Sequence, residues 1–219
     1  MPTSITVDIW SDIACPWCYI GKRKFEAGLA EFEGRDDVEV TYRSYELSPD
    51  TPEDFSGSSV DYLVDKKGMP AEQVRQMLEQ VTGIATEVGV HVDFDAVLQT
   101  KTLKAHQVLH YARAQGKQLD YAERLFKAYF EEGRHVGRSE ELAALAADVG
   151  LDPDAVLAVL ASGEYAEAVD ADIEQARAYG ITGVPFFVIN GKYGVSGAQS
   201  PETFIDVLEM VRSQASTHP

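Results

Sequence analysis

The sequence predicts an α/β fold in which a β-α-β segment and a β-β-α segment flank a long helical middle. Three observations carry this reading. Residues 5–10, ITVDIW, and 38–42, VEVTY, are short β-rich runs on either side of a stretch where Phe25, Leu29 and Phe32 recur at helical spacing. From about residue 60 to about residue 180 the apolar pattern is helical, with no strand signal of comparable strength. At residues 184–189, VPFFVI, the β signal returns.

Each element has its own signal. The first helix follows the first strand and ends near Gly34. VEVTY alternates apolar and polar side chains as a half-buried strand does, and the following LSPDTPEDFSGSS, rich in Pro, Ser, Gly and Asp, reads as a domain boundary. In the helical middle Val74, Met77, Leu78, Val81, Ala85 and Val88 share one face. Pro70 and Pro153 suit first helical turns, Asp152 suits a cap, and Gly150, Gly163 and Gly180 suit helix ends, which suggests five or six helices. The stripe Ala122, Leu125, Phe126, Tyr129 and Phe130 is assigned to the core. Asn190-Gly191 after VPFFVI is the dipeptide that a type I′ hairpin turn favours, and Ser200-Pro201 opens a last helix carrying Phe204, Leu208 and Val211. There is no internal repeat.

Composition narrows the function. The 219 residues can bury a core without disulfides. With 19 Lys and Arg against 36 Asp and Glu, the net charge of −17 repels phosphate backbones and anionic lipid, so neither nucleic acid nor a membrane is an expected partner. MPTSITVDIW lacks the basic and apolar regions of a signal peptide, and the expected location is the cytoplasm. A disulfide there tends to be transient and catalytic.

The two cysteines of the chain, Cys15 and Cys18, lie in SDIACPWCYIGK, separated by Pro16 and Trp17. A structural pair, a metal clip and a redox catalyst all use this spacing. If a helix starts at or just after Cys15, that thiol meets the positive end of the helix dipole and becomes the attacking thiolate. Pro16 then fits the first turn, and Cys18 becomes the inward-turned resolving thiol. His106 and His110, at i and i+4 on a helix, complete a conceivable zinc set, but they lie far from the cysteines in sequence, and no metal is expected. A packing role is the plain reading of both histidines.

CPWC after a strand, joined to GVPFFVINGKYGVSG far downstream, resembles the thioredoxin-fold oxidoreductases of the DsbA family. Within them the chain is similar to the FrnE-like branch, the polyketide-biosynthesis dithiol-disulfide isomerases, in GMPAEQVRQMLEQVTGIATEVGVHVDFD and KTLKAHQVLHYARAQGKQ as well. The resemblance implies a discontinuous thioredoxin-like catalytic domain, residues 1–48 and 168–219, interrupted by a helical insertion domain, residues 49–167. It further implies a cis Val184-Pro185 peptide facing the cysteines. Trp17, Val184 and Pro185, with the backbone of Gly183 nearby, would form an apolar rim suited to the greasy neighbours of flexible disulfides. Two departures stand out: Trp17 precedes Cys18 where strongly oxidising members carry His, and Lys101 precedes Thr102 where relatives often carry Asn. Were Lys101 or His106 to face Cys15, its charge would favour the thiolate.

Asp8 on the first strand is a further candidate, because an acid there in such folds lies beneath the disulfide and relays a proton; its plain reading is an exposed strand residue. The expected function is thiol-disulfide oxidoreductase or isomerase, acting on protein or small-molecule thiols and disulfides, without a cofactor beyond the Cys15/Cys18 pair and with glutathione as one candidate reductant. The alternatives are a glutathione-dependent small-molecule isomerase of the kappa-like group and a non-catalytic binding module. An apolar helix face in the insertion would also suit pairing of two chains as a homodimer.

Overall fold

The computed structural model describes residues 4–217. Met1, Pro2, Thr3, His218 and Pro219, which the segments 1–48 and 168–219 include, lie outside the described residues. Strands β1 (Ile5–Ser11), β2 (Val38–Ser44), β3 (Phe186–Ile189) and β4 (Tyr193–Ser196) form one mixed sheet in the order β2-β1-β3-β4. β1 and β2 are parallel, with Ile5 opposite Val38 and Ser11 opposite Ser44, and helix α1 (Pro16–Glu31) makes the crossover. β3 runs antiparallel to β1, placing Val7 opposite Ile189, so the two ends of the sequence meet in one sheet.

Pro185 stands just before β3, where its missing N–H costs the ladder nothing. The turn after β3 has φ of 50° at Asn190 and 65° at Gly191, and the Lys192 N–H donates to the Ile189 carbonyl at 3.1 Å. Ile189 pairs with Tyr193, so Lys192 extends the loop to three residues.

Alternation along β1 sorts the two layers. Ile5, Val7 and Ile9 join the core under α1 and the last helix, α9 (Pro201–Thr217), while Trp10 faces the other way with Ala176 and Ile181. Phe25, Phe187 and Phe204 form an aromatic triangle between α1, β3 and α9, with centroid separations of 4.6–5.5 Å. A Cβ at Gly28 would lie 2.6 Å from the Pro201 carbonyl oxygen, so α1 and α9 approach to a distance only glycine permits.

Between β2 and β3 lie α2 (Ser59–Lys67), α3 (Ala71–Glu87), α4 (Leu103–Ala114), α5 (Gln118–Phe130), α6 (Ser139–Ala147), α7 (Pro153–Ser162) and α8 (Ala166–Ala178). The described residues thus hold seven helices there, against the five or six suggested by periodicity. Gly116 at φ 70° adds a break between α4 and α5 that the periodicity does not mark, while the glycines read as helix ends act as such. Gly150 at φ 83° parts α6 from α7, and Gly163 at φ 68° ends α7 three residues before α8 begins. Asp152 caps α7 by accepting from the Asp154 N–H at 3.0 Å.

The helical region is fused to the sheet through α1. Tyr19 stacks on Phe126 of α5 at 5.1 Å with the rings 7° apart, and Lys22 pairs with Glu123 at 2.6 Å. Phe126, Tyr129 and Phe130 share one continuous apolar core with Val7, Ile9 and Phe25. The start of α1 therefore lies where sheet and helical region meet.

Candidate active site

β1 ends at Ser11, and a tight turn carries the chain into α1, with the Cys15 N–H donating to the Asp12 carbonyl at 3.2 Å. Cys15 occupies the N-cap with extended backbone, its side chain makes no capping bond, and Pro16 fills the first helical position. Its carbonyl accepts from the N–H groups of Cys18 at 3.0 Å and Tyr19 at 3.4 Å. No acidic residue stands in the first turn of α1 to offset the positive end of the helix dipole at this sulfur.

Opposite it, the Val184-Pro185 peptide is cis, and the Cys15 thiol lies 3.6 Å from the Val184 carbonyl oxygen, which can accept its hydrogen bond. Pro185 is seated on α1 at Gly21, where an added Cβ would come within 2.8 Å of the proline Cγ. Gly183 is not crowded: a Cβ there would meet nothing within 4 Å. Trp17 is 39 % exposed beside the thiols.

Cys15 and Cys18 are both free and buried. Burial pushes the Cys18 thiol well above its ordinary range, and the neighbouring Cys15 adds to this. The Ser11 hydroxyl and the Asp12 backbone N–H act in the opposite sense. The two sulfurs are therefore inequivalent: one stands at the helix start against an open cleft, the other is turned inward.

Asp8 does not lie under the cysteines. As an even-numbered position of β1 it faces away from α1, and its Oδ1 accepts from Arg43 Nε at 2.7 Å. Arg43 also pairs with Asp172, which binds His110 at 3.0 Å and the Ser44 N–H at 2.9 Å. The acid near the thiols is Asp12, at 2 % exposure. Burial works to raise its carboxyl, but His106, the Leu47 N–H and the Thr102 hydroxyl outweigh that and hold it below the ordinary carboxylate range. His106 reaches Asp12 at 3.4 Å, so it meets the cysteine turn through Asp12. His106 and His110 thus serve separate carboxylates, and neither forms a metal-type cluster with Cys15 and Cys18. Lys101 is absent from the lining of the cleft, whereas Thr102 is part of it.

Sequence reasoning missed Asp12, Ser11 and Gly21 as separate participants. Gly21 carries no specific signal, since Gly83 is an equally isolated helix glycine and a Cβ there would meet nothing within 4 Å. Asp12 depends on contacts from α4 and the β2 exit that no local pattern encodes.

Cys15, Pro16, Trp17 and Asp12 open onto a cleft of about 520 Å³ that runs under α2 and α3 to Phe94, Tyr129 and Phe130. Tyr129 and Phe130, read as core, are also its inner wall. Among the described residues no helix is long and apolar enough to cross a membrane.

Comparison with known proteins agrees with this geometry. The family model of the DSBA-like thioredoxin domain matches residues 6–209. The crystal structure of a probable DsbA oxidoreductase from Streptomyces coelicolor is similar at 39 % identity and a TM-score of 0.89, covering 98 % of this chain and 91 % of that one. The uncharacterized protein YwbO of Bacillus subtilis (strain 168) is 29 % identical over 203 residues, 92 % of this chain and 94 % of that protein. The cytosolic disulfide reductase DsbM from Pseudomonas aeruginosa, solved with GSH, shares the fold at 20 % identity and a TM-score of 0.64, covering 94 % of this chain and 98 % of that one. With a β-α-β and β-β-α sheet around a Cys-X-X-Cys helix start, and a family match spanning nearly its whole length, this chain belongs to the DsbA-like thioredoxin-domain family.

Proposed function

We propose that this protein is a thiol-disulfide oxidoreductase or isomerase that exchanges disulfides through a mixed disulfide at Cys15. The observation that carries the reading is the pairing of unequal sulfurs: Cys15 at the start of α1, 3.6 Å from the Val184 carbonyl, and Cys18 one turn further in with its thiol form favoured. In the reductive direction the Cys15 thiolate attacks one sulfur of a substrate disulfide, forming a Cys15–substrate disulfide and expelling the other half as thiolate. Cys18 then attacks the Cys15 sulfur, its proton passes to the departing substrate thiolate, and a Cys15–Cys18 disulfide remains. A thiol reductant, glutathione or a dithiol, returns the pair to its reduced form; the reverse sequence donates the disulfide.

Family membership supports an oxidoreductase of this class, and Trp17, Val184 and Pro185 supply an apolar rim with a backbone acceptor for the substrate. The FrnE-like motifs favour the isomerase branch, and a catalytic dithiol suits a cytoplasmic setting. The test is the Cys18→Ser variant, which should accumulate a Cys15-linked mixed disulfide that mass spectrometry can identify. The wild type should speed reduction of insulin or of small disulfides by dithiothreitol. Inactivity on every disulfide offered would sink the reading.

A glutathione-dependent small-molecule isomerase is the second reading, favoured by the size of the cleft at Cys15. Full activity of Cys18→Ser on all thiol substrates would select it.

A further inference from the structure

We infer that the cleft beside Cys15 selects small disulfides or thiols that have an apolar body and an anionic end, in preference to a length of unfolded polypeptide. The inference rests on the redox reading above and names its substrate class. A volume of about 520 Å³ lies within the range of small-molecule sites, roughly 300–1,000 Å³. The wall leading away from Cys15 is built from Leu63, Met77, Val81, Phe94, Val97 and Phe130. Its polar groups are already matched to one another. Thr51 and Tyr62 bond through their hydroxyls at 2.7 Å, and the Gln99 amide joins the Ser59 hydroxyl at 3.2 Å to the Tyr129 hydroxyl at 3.1 Å. Thr102 is committed to Asp12 at 2.8 Å. A ligand inside the cleft thus meets surface with few open hydrogen-bonding demands, which rewards an apolar body and wastes the amides of a peptide.

The mouth has the opposite character. Lys66 and Lys67 of α2 stand on the lining, both exposed, in a protein of net charge −17. Among the described residues neither joins an ion pair; Lys66 only lies 5.9 Å from the Tyr62 ring centroid. Asp50 is the exposed carboxylate on the same lining, and Asp12 is occupied by His106, Thr102 and Leu47. Two unpaired cations against one exposed anion leave the mouth locally positive. The substrate disulfide would sit at Cys15, its apolar body along the α2–α3 wall and its anionic end at Lys66 and Lys67. The chemistry is the exchange already written, with dithiothreitol as the regenerating reductant in the assay.

The test measures second-order rates at which the reduced protein is oxidised by two homologous series, bis(ω-carboxyalkyl) and bis(ω-aminoalkyl) disulfides of increasing chain length. The Trp17 fluorescence reports the reaction, and the rates of dithiothreitol with the same compounds correct for intrinsic reactivity. The expected result is a rate rising by up to about fourfold per added methylene until the cleft is filled. The carboxylates should lead the amines by about threefold or more, a lead removed in the Lys66→Glu/Lys67→Glu variant, whose changes lie on the exposed face. Rates independent of chain length and charge, or oxidation by a scrambled protein faster than by any member of either series, would overturn the inference while leaving the redox reading intact. No oxidation by any disulfide would remove the redox reading itself.

Discussion

The seat of Pro185 on Gly21 can be tested by a pair of matched substitutions. Gly21 and Gly83 both lie inside helices, so Gly→Ala at either gains about 1 kcal/mol in helix propensity. At Gly83 the new Cβ meets nothing within 4 Å, and Gly83→Ala should stabilise the protein by that amount. At Gly21 the Cβ would stand 2.8 Å from Pro185 Cγ and 3.5 Å from Ala198 Cβ. A change of ring pucker shifts the proline Cγ by only a fraction of a side chain's reach, so the loop must also give way, and overpacking of this kind costs about 1–3 kcal/mol. Gly21→Ala should therefore be between neutral and about 2 kcal/mol destabilised, or about 1–3 kcal/mol below Gly83→Ala, in urea denaturation of the reduced protein. Because the displaced segment carries the Val184 carbonyl that faces Cys15 at 3.6 Å, exchange rates with a small disulfide should fall on the order of tenfold in Gly21→Ala and stay unchanged in Gly83→Ala. Equal stabilisation by both alanines, with exchange unaffected, would refute the packing that positions this site.

Other consequences are as direct. Iodoacetamide at neutral pH should label Cys15 and spare Cys18, since burial keeps the latter protonated; peptide mapping showing Cys18 modified first would reverse the assigned roles. That same burial sets a pH dependence. The folded Cys18 thiol titrates above the ordinary value of 9.0, so its contribution to stability is whole below that value and is lost as pH rises through the raised one. The stability of the reduced wild type relative to Cys18→Ala should accordingly decline above about pH 9. Asp8→Asn should leave the pH profile of thiol exchange unaltered, because Asp8 serves Arg43 on the far face of the sheet; a moved profile would show that the strand acid takes part after all. Phe25→Ala, which empties the triangle with Phe187 and Phe204, should cost about 3–5 kcal/mol by denaturant unfolding.

Much of this architecture is written locally. The strands at β1, β2 and β3, the Asn190-Gly191 turn and the α1 start at Cys15-Pro16 follow from alternation, turn chemistry and proline's missing donor. Helix number is less legible: Gly150 and Gly163 read as helix ends, but the breaks at Gly68 and Gly116, at φ 64° and 70°, leave the apolar periodicity without a comparable mark. The site divides in the same manner. Spacing singles out Cys15 and Cys18 but fits a structural pair, a metal clip or a redox catalyst alike; the resemblance selects the redox reading and adds Val184 and Pro185. The identity of the buried acid is not legible: Asp8 and Asp12 are both near the cysteines in sequence, and the pleat of β1 sends Asp8 to Arg43. Asp12 is gathered instead by Leu47, Thr102 and His106 from two distant segments, a convergence that only the tertiary fold creates. The stripe of α5 shows the limit of periodicity most plainly, since Tyr129 and Phe130 are core residues and cleft wall at once.

Whether Cys15 and Cys18 form a reversible redox couple is decided by an equilibrium titration in defined glutathione buffers. Trp17, between the two cysteines, supplies a fluorescence readout, and alkylation followed by mass measurement counts the free thiols at each point. The expected result is a single two-electron transition within the range of thioredoxin-fold catalysts, about −270 to −120 mV, abolished in Cys15→Ser and in Cys18→Ser. Two thiols that stay reduced, or titrate independently of each other, across that whole range would contradict it.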